Sequence, residues 1–259
     1  MAAKRIICFL LVIALLAVFS VYYPELTGNI SNIDSIEYPK EEATLLRVVD
    51  GDTIHALVDG NDETIRMLGI NAPEKKMPMA NESKLFLEQF VNQTIYLQRD
   101  IEDEDKYDRK LRYVFADEGN RFLNLELLEL GYVNTYIFGE QTYNKEILRA
   151  EEQARNLGLG IWQKSQEECA VQDCISLLEL NPAAEVFKIK NSCDFACDMT
   201  GWFVKDTGRN VFYLSNLSNQ EEKAYSSELL GKDVWDDSGD NFFMFDKEGK
   251  LVIFYEYSS

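Results

Sequence analysis

Two short acidic turns carry the strongest chemical signal in this sequence. Val48-Val49-Asp50-Gly51-Asp52-Thr53 sets two carboxylates around a glycine at the mouth of a strand pair. Gly69-Ile70-Asn71-Ala72-Pro73-Glu74 ends a strand in side-chain oxygens, with a proline fixing the exit. Strand ends of one meander can converge, which would gather Asp52, Asn71, Glu74 and a backbone carbonyl around one point. That shell contains oxygen donors only and suits Ca²⁺ or Mg²⁺ rather than zinc. Arg66, an arginine among the apolar residues of a strand, wants a buried anionic partner. Arg109 follows in Asp105-Lys106-Tyr107-Asp108-Arg109, a polar turn ahead of another strand. Singly, the first turn also reads as a tight hairpin and each arginine as an ordinary salt bridge.

Composition narrows the chemistry further. The 259 residues carry a net charge of −19, which argues against a protein gripping nucleic acid by an overall basic surface. The acidity is spread over the whole folded part. Histidine occurs once, at His55, so Ser-His-Asp triads and multi-histidine metal sites are all but excluded. His55 lies on a strand two residues past Thr53 and reads as a surface residue. At 46% hydrophobic and 12% aromatic residues the chain can bury a real core, so global disorder is excluded.

The elements that must position these residues follow from the patterning. Ala43–Val49, Thr53–Val58 and Thr64–Ile70 alternate or run apolar between Asp-Gly and Asn-Asp turns and predict a three-strand meander. Thr94–Arg99 and Lys110–Ala116 read as two more strands. Helical spacing predicts three helices, at Glu82–Val91 with Asn81 as N-cap, around Phe122–Leu130, and at Lys145–Leu157, the last two capped by Gly131 and Gly158. Five strands with helices packed on them predict an α+β fold built on a small closed barrel. After Trp162 only short strands and turns follow, at Glu185–Lys190, Gly201–Lys205, Val211–Leu214, Asn241–Asp246 and Lys250–Tyr257, which predicts an all-β sandwich. At the other end, Lys4 and Arg5 precede the apolar run Ile6–Tyr23, about 27 Å of helix and enough to span a bilayer. The expected organisation is a signal anchor or transmembrane segment at 1–23, a linker at 24–40, and domains at 41–165 and 172–259.

Together the motifs V-x-D-G-D-T, a strand arginine, G-I-N-x-P-E and D-K-Y-x-R resemble the staphylococcal nuclease family, from about Ala43 to the closing Gly160-Ile161-Trp162. The resemblance implies a five-stranded OB-type barrel with three helices. It also implies Ca²⁺-dependent hydrolysis of DNA or RNA phosphodiesters that leaves 3′-phosphate ends. By this likeness Asp52, Asn71 and the Ala72 carbonyl bind calcium, with Asp50 as a neighbouring carboxylate. Glu74 is the general base, and Arg66 and Arg109 neutralise the phosphate as it becomes pentacoordinate. Lys106, Tyr107, Tyr136 and Phe138 contact the nucleotide. Asn71 stands where the family usually has aspartate, which removes a negative charge and predicts weak calcium binding. The rival reading is a catalytically weak nucleic-acid or ligand-binding module.

The C-terminal part has its own likeness. Glu185–Asn191, Thr200–Asp206, Trp235–Asp240 and Phe245–Val252 resemble the lamin-tail domain, which implies an immunoglobulin-like sandwich that docks on a partner of unknown identity. The expected location is the membrane, with both domains outside the cytoplasm, or secretion if the signal is cleaved. In an exported chain Cys169, Cys174, Cys193 and Cys197 are expected to form two disulfides, with three pairings open and a four-thiolate zinc site as the alternative. Alkylation of the denatured, unreduced protein should therefore label no cysteine other than Cys8. Label on any of the four later cysteines would contradict the disulfides.

Overall fold

Strand β1 (Lys40–Val48) buries Ala43, Leu45 and Val48 and turns through Asp50-Gly51-Asp52 into β2 (Thr53–Val58), which turns again into β3 (Asn61–Met67). Gly51 is required by space: a Cβ there would lie 2.2 Å from the Ser83 hydroxyl and 2.9 Å from the Ala72 methyl. The computed structural model describes residues 38–208, 210–226, 234–237 and 239–258. The apolar run Ile6–Tyr23 lies outside the described residues, and among those described no helix is long and apolar enough to cross a membrane.

The predicted third strand is broken. β3 stops at Met67, and Gly69–Asn71 forms a separate strand, β4, with Gly69 at φ 73°. Helix α1 (Ala80–Glu88) follows. Its N-cap is Met79, in a left-handed conformation, so Asn81 sits inside the helix and does not cap it. β5 (Thr94–Gln98) and β6 (Lys110–Ala116) extend the sheet, and β7 (Arg121–Phe122) ends it. The barrel closes by parallel pairing of β3 with β6, Ile65 opposite Lys110 and Arg66 opposite Leu111. Five strands, β1, β2, β3, β5 and β6, complete the circuit.

Helix α2 (Leu123–Glu129) lies against this barrel, tied by buried Asn124. Its Oδ1 accepts the Val114 N–H at 2.9 Å, and its Nδ2 donates to the Leu68 carbonyl at 2.8 Å. β8 (Asn134–Tyr136) pairs with β4, and α3 (Asn144–Leu157) ends at Gly158 in the expected left-handed cap. The barrel core runs from Ala43 to Ala150.

The segment after Trp162 is fastened along a sheet edge. Leu251 N donates to the Gln163 carbonyl at 2.7 Å, Ser165 N donates to the Leu251 carbonyl at 2.9 Å, and Ser165 Oγ donates to Asp246 Oδ2 at 2.6 Å. A one-turn helix, α4 (Glu168–Val171), leads into two sheets that enclose a second core. One contains β9 (Ile175–Asn181), β10 (Val186–Asn191) and β13 (Glu222–Ser226). The other contains β11 (Phe203–Lys205), β12 (Val211–Tyr213), β14 (Gly239–Phe245) and β15 (Leu251–Ser258). The sequence pattern missed β9 and β13. Disulfides join Cys169 to Cys197 and Cys174 to Cys193, and all four sulfurs lie within 4.8 Å of one another.

Strand β14 explains how the barrel and the sandwich join. Phe242 and Met244 enter the sandwich core, while Phe243 and Phe245 on the opposite face join Ala154, Ile161, Trp162, Phe203 and Leu251 in a third core. An unbroken apolar run in a strand is what burial on both faces requires. Met77 and Met79, from the loop before α1, pack on this third core. Phe243→Ala should cost about 3–5 kcal/mol, and lower the melting temperature by roughly 6–20 °C in one transition shared by barrel and sandwich. A loss below about 1 kcal/mol would show that the face is not packed in solution.

Candidate active site

Asp52 anchors the site from within. The residue is 6% exposed, Oδ2 accepts the Ala72 N–H at 2.7 Å, and Oδ1 accepts the Thr53 hydroxyl at 2.8 Å. The Arg66 Nε lies 3.4 Å from the same Oδ1. Arg66 is the buried anion-seeking arginine that the sequence pattern predicts, at 9% exposure. Its Nη1 donates to the Met67 and Ile70 carbonyls, and its Nη2 donates to Asn71 Oδ1 at 3.3 Å. A guanidinium has five donors, so Nη2 keeps one for a ligand. Asp50 stands beside Asp52 and accepts its N–H at 3.2 Å. Burial first, then the Asp52 charge, pushes the Asp50 carboxyl above its ordinary value.

Barrel closure brings the second arginine across. Arg109 directly precedes β6, whose Leu111 pairs with Arg66. Its Nε and Nη2 reach Asp105 Oδ2 at 2.8 and 2.6 Å. Burial raises the Asp105 carboxyl, but bonds from the Arg109 side chain and from the Arg109 and Tyr107 N–H groups outweigh it and hold the group low. Arg109 is thus presented on a carboxylate, over the face of an exposed Tyr107 ring.

All ten predicted site residues line one cleft of about 1470 Å³: Asp52, Arg66, Asn71, Ala72, Glu74, Lys106, Tyr107, Arg109, Tyr136 and Phe138. That volume exceeds an ordinary small-molecule pocket and suits a stretch of polymer. Tyr136 and Phe138 form an edge-to-face pair, centroids 4.5 Å apart, on an open wall. The segment after them is tied down by Asp100, which accepts the Thr142 N–H at 2.8 Å. His55 lies outside the cleft, bonded to Asp62 at 2.7 Å on the barrel surface.

Three cleft cations escaped the sequence pattern: Lys75, Lys76 and Lys84. The Lys-Lys pair directly after Pro73-Glu74 was the available signal. With them the lining carries six cationic and eight acidic residues.

The donor set fits a hard divalent cation: the Asp52 carboxylate, the Asn71 amide oxygen and the carbonyl of Ala72, with the Asp50 carboxylate adjacent and no soft ligand. Asp52 and Asn71 are bridged by the Arg66 guanidinium, so an ion there shares its oxygens with a fixed positive charge.

One wall comes from the sandwich, which the sequence pattern did not anticipate. Gly208 lines the cleft, and Asn71 Nδ2 donates to the Thr207 carbonyl at 2.9 Å. An aspartate at position 71 has no hydrogen to give that carbonyl. Thr207 is itself held by Asp240, whose Oδ1 accepts its N–H at 3.1 Å, and Asp206 accepts the backbone and side-chain N–H groups of Asn210. Lys205 lies over the Phe243 ring. Burial pushes its ammonium down, opposed by Asp206, Asp240 and Glu74.

A closed five-stranded barrel with paired arginines and oxygen donors at its mouth is an OB-type barrel. The family profile described as staphylococcal nuclease homologue matches residues 64–164. A thermonuclease of Staphylococcus intermedius is 31% identical over 132 residues, covering 48% of this chain and 77% of the relative. A thermonuclease of Staphylococcus hyicus is 27% identical over 161 residues, covering 59% and 94%. Protein ParB of Escherichia coli is 30% identical over 125 residues, covering 46% and 70%. The chain belongs to the staphylococcal nuclease family.

Asp206 gives this region a pH signature. Burial pushes its carboxyl up to about 6, against the bonds from Asn210 and the charge of Lys205. The folded protein therefore holds this proton more tightly than the unfolded chain. The resulting stabilisation is complete below about pH 4 and is lost as pH rises through 6. Asp206→Asn should flatten the fall in stability between pH 4 and 6 in urea titrations. An unchanged slope would show that Asp206 does not titrate there.

Proposed function

We propose that this protein is a Ca²⁺-dependent nuclease that hydrolyses DNA or RNA phosphodiesters. The observation that carries the reading is the convergence, in one cleft, of side chains from four separated sequence segments. A phosphodiester is anionic and repels a hydroxide-like nucleophile, so cleavage needs charge neutralisation, an aligned water and a base. Arg66 and Arg109 approach the cleft from two strands joined by barrel closure, and present N–H donors to phosphate oxygens as negative charge builds. Exposed Glu74, at the cleft wall, accepts the proton of the attacking water. Asp52, Asn71 and the Ala72 carbonyl would hold calcium. The ion, when bound, supplies positive charge to the phosphate and helps to orient the water. Lys106, Tyr107, Tyr136 and Phe138 bind the flanking nucleotide by charge and ring stacking.

In the same reading the chain divides into a nuclease domain at 41–165 and a lamin-tail-like, immunoglobulin-like interaction domain at 172–259. Residues 1–23 tether both outside the cytoplasm, or the protein is secreted. Two buried disulfides support an oxidising location.

Purified protein should cleave denatured DNA with calcium and lose that activity in chelator. Arg109→Ala and Glu74→Gln should each lower turnover at least ~10²-fold with little change in melting temperature. Calcium-independent cleavage, or near-wild-type turnover in either variant, would refute the assignment.

A further inference from the structure

The loop carrying Glu74, from Asn71 to Met79, is gripped at both ends by the sandwich as well as by the barrel. At its start, Asn71 Nδ2 donates to the Thr207 carbonyl. The guanidinium on one end of that amide and the carbonyl on the other demand the same orientation, with Oδ1 on Arg66. At its finish, Met77 and Met79 pack on the third core, to which the sandwich gives Phe203, Phe243, Phe245 and Leu251 and the barrel side gives Ala154, Ile161 and Trp162. Between them the Pro78 ring sits against Gly249 of the β14–β15 turn. A Cβ on Gly249 would lie 2.0 Å from Pro78 Cγ, so only glycine leaves room for the ring. Within the loop, Lys76 and Met79 adopt left-handed conformations, φ 78° and 65°, which persist only where surrounding contacts enforce them.

We propose that the sandwich is a positioning element of the nuclease cleft: it grips the Met77-Pro78-Met79 segment and the Asn71 amide, and so sets where Glu74 stands. The inference rests on the reading of Glu74 as the base. It assigns to the C-terminal sheet a task in turnover that a mere tether would not have. Met77, Pro78 and Met79 are positioning residues, acting through the backbone that carries Glu74.

The test uses the full chain. Met77→Ala/Met79→Ala loosens the grip from the loop side, and Phe203→Ala does so from the sandwich side. Met77→Leu/Met79→Leu and Phe203→Leu are the conservative controls, and melting curves select folded protein. The readouts are hydrogen exchange at Met77 and Ala80, whose N–H groups close the loop onto Glu74 and Met77 carbonyls, and steady-state cleavage of a denatured-DNA oligonucleotide with calcium. Both alanine variants should exchange at least ~10-fold faster and lose at least ~10-fold in kcat, with KM within about threefold, because a displaced base costs turnover and not binding. The leucine variants should restore both. Faster exchange with unchanged kcat, or a loss confined to KM, overturns the inference and leaves the nuclease reading intact. Wild-type protein without calcium-dependent cleavage overturns that reading, and this inference with it.

Discussion

Everything near the cleft is arranged around the buried guanidinium of Arg66. Taking such a charge out of water costs several kcal/mol unless its donors are met and its charge is balanced. Here the carboxylate of Asp52 and three acceptors at Met67, Ile70 and Asn71 meet it. Those partners lie on the first acidic turn, the end of β3 and β4. The requirement to satisfy one cation therefore fixes the mutual placement of the segments that carry the site. Asp52 extends the constraint by accepting the Ala72 N–H, which orients the start of the Glu74 loop.

The second organising fact is a sheet buried on both faces. Phe242 and Met244 point one way into the sandwich, Phe243 and Phe245 the other way onto Trp162 and α3. Arg155 of α3 lies over the Trp162 and Phe254 rings, covering the rim of this junction with a cation–π contact. The described residues from 38 onward consequently form one compact body. The barrel here meets a second sheet, and the Asn71 amide marks the place: its oxygen serves the cleft and its nitrogen serves the sandwich.

Charge is distributed to match. A net charge of −19 offers no general attraction for a polyanion, so the nucleic-acid binding proposed above rests on local charge. Lys75, Lys76, Lys84 and Lys106 join the two arginines in the cleft lining, opposed by carboxylates that include Asp50, Asp52 and Asp105. Asp105 holds Arg109 in place, so an acidic side chain there serves the presentation of a basic one.

Much of this was legible in the sequence. The period-two strands, the helical spacing of α1 to α3, the glycine cap at Gly158 and the order of the four motifs depend on local chemistry, which neighbouring residues determine. The motif residues were gathered into one site by the family resemblance and not by local pattern. The break after Met67, the cap at Met79 in place of Asn81, and strands β9 and β13 were not legible, because short segments take their conformation from the partners they meet. The pairing of the four cysteines was open for the same reason, since spacing permits three arrangements and only contact selects one. Most of all, the sequence shows Asn71, Met77-Pro78-Met79 and Thr207 as unrelated residues up to 136 positions apart. Their meeting is a property of the packed sheets, because a hydrogen bond or apolar contact between distant segments leaves no periodic trace along the chain.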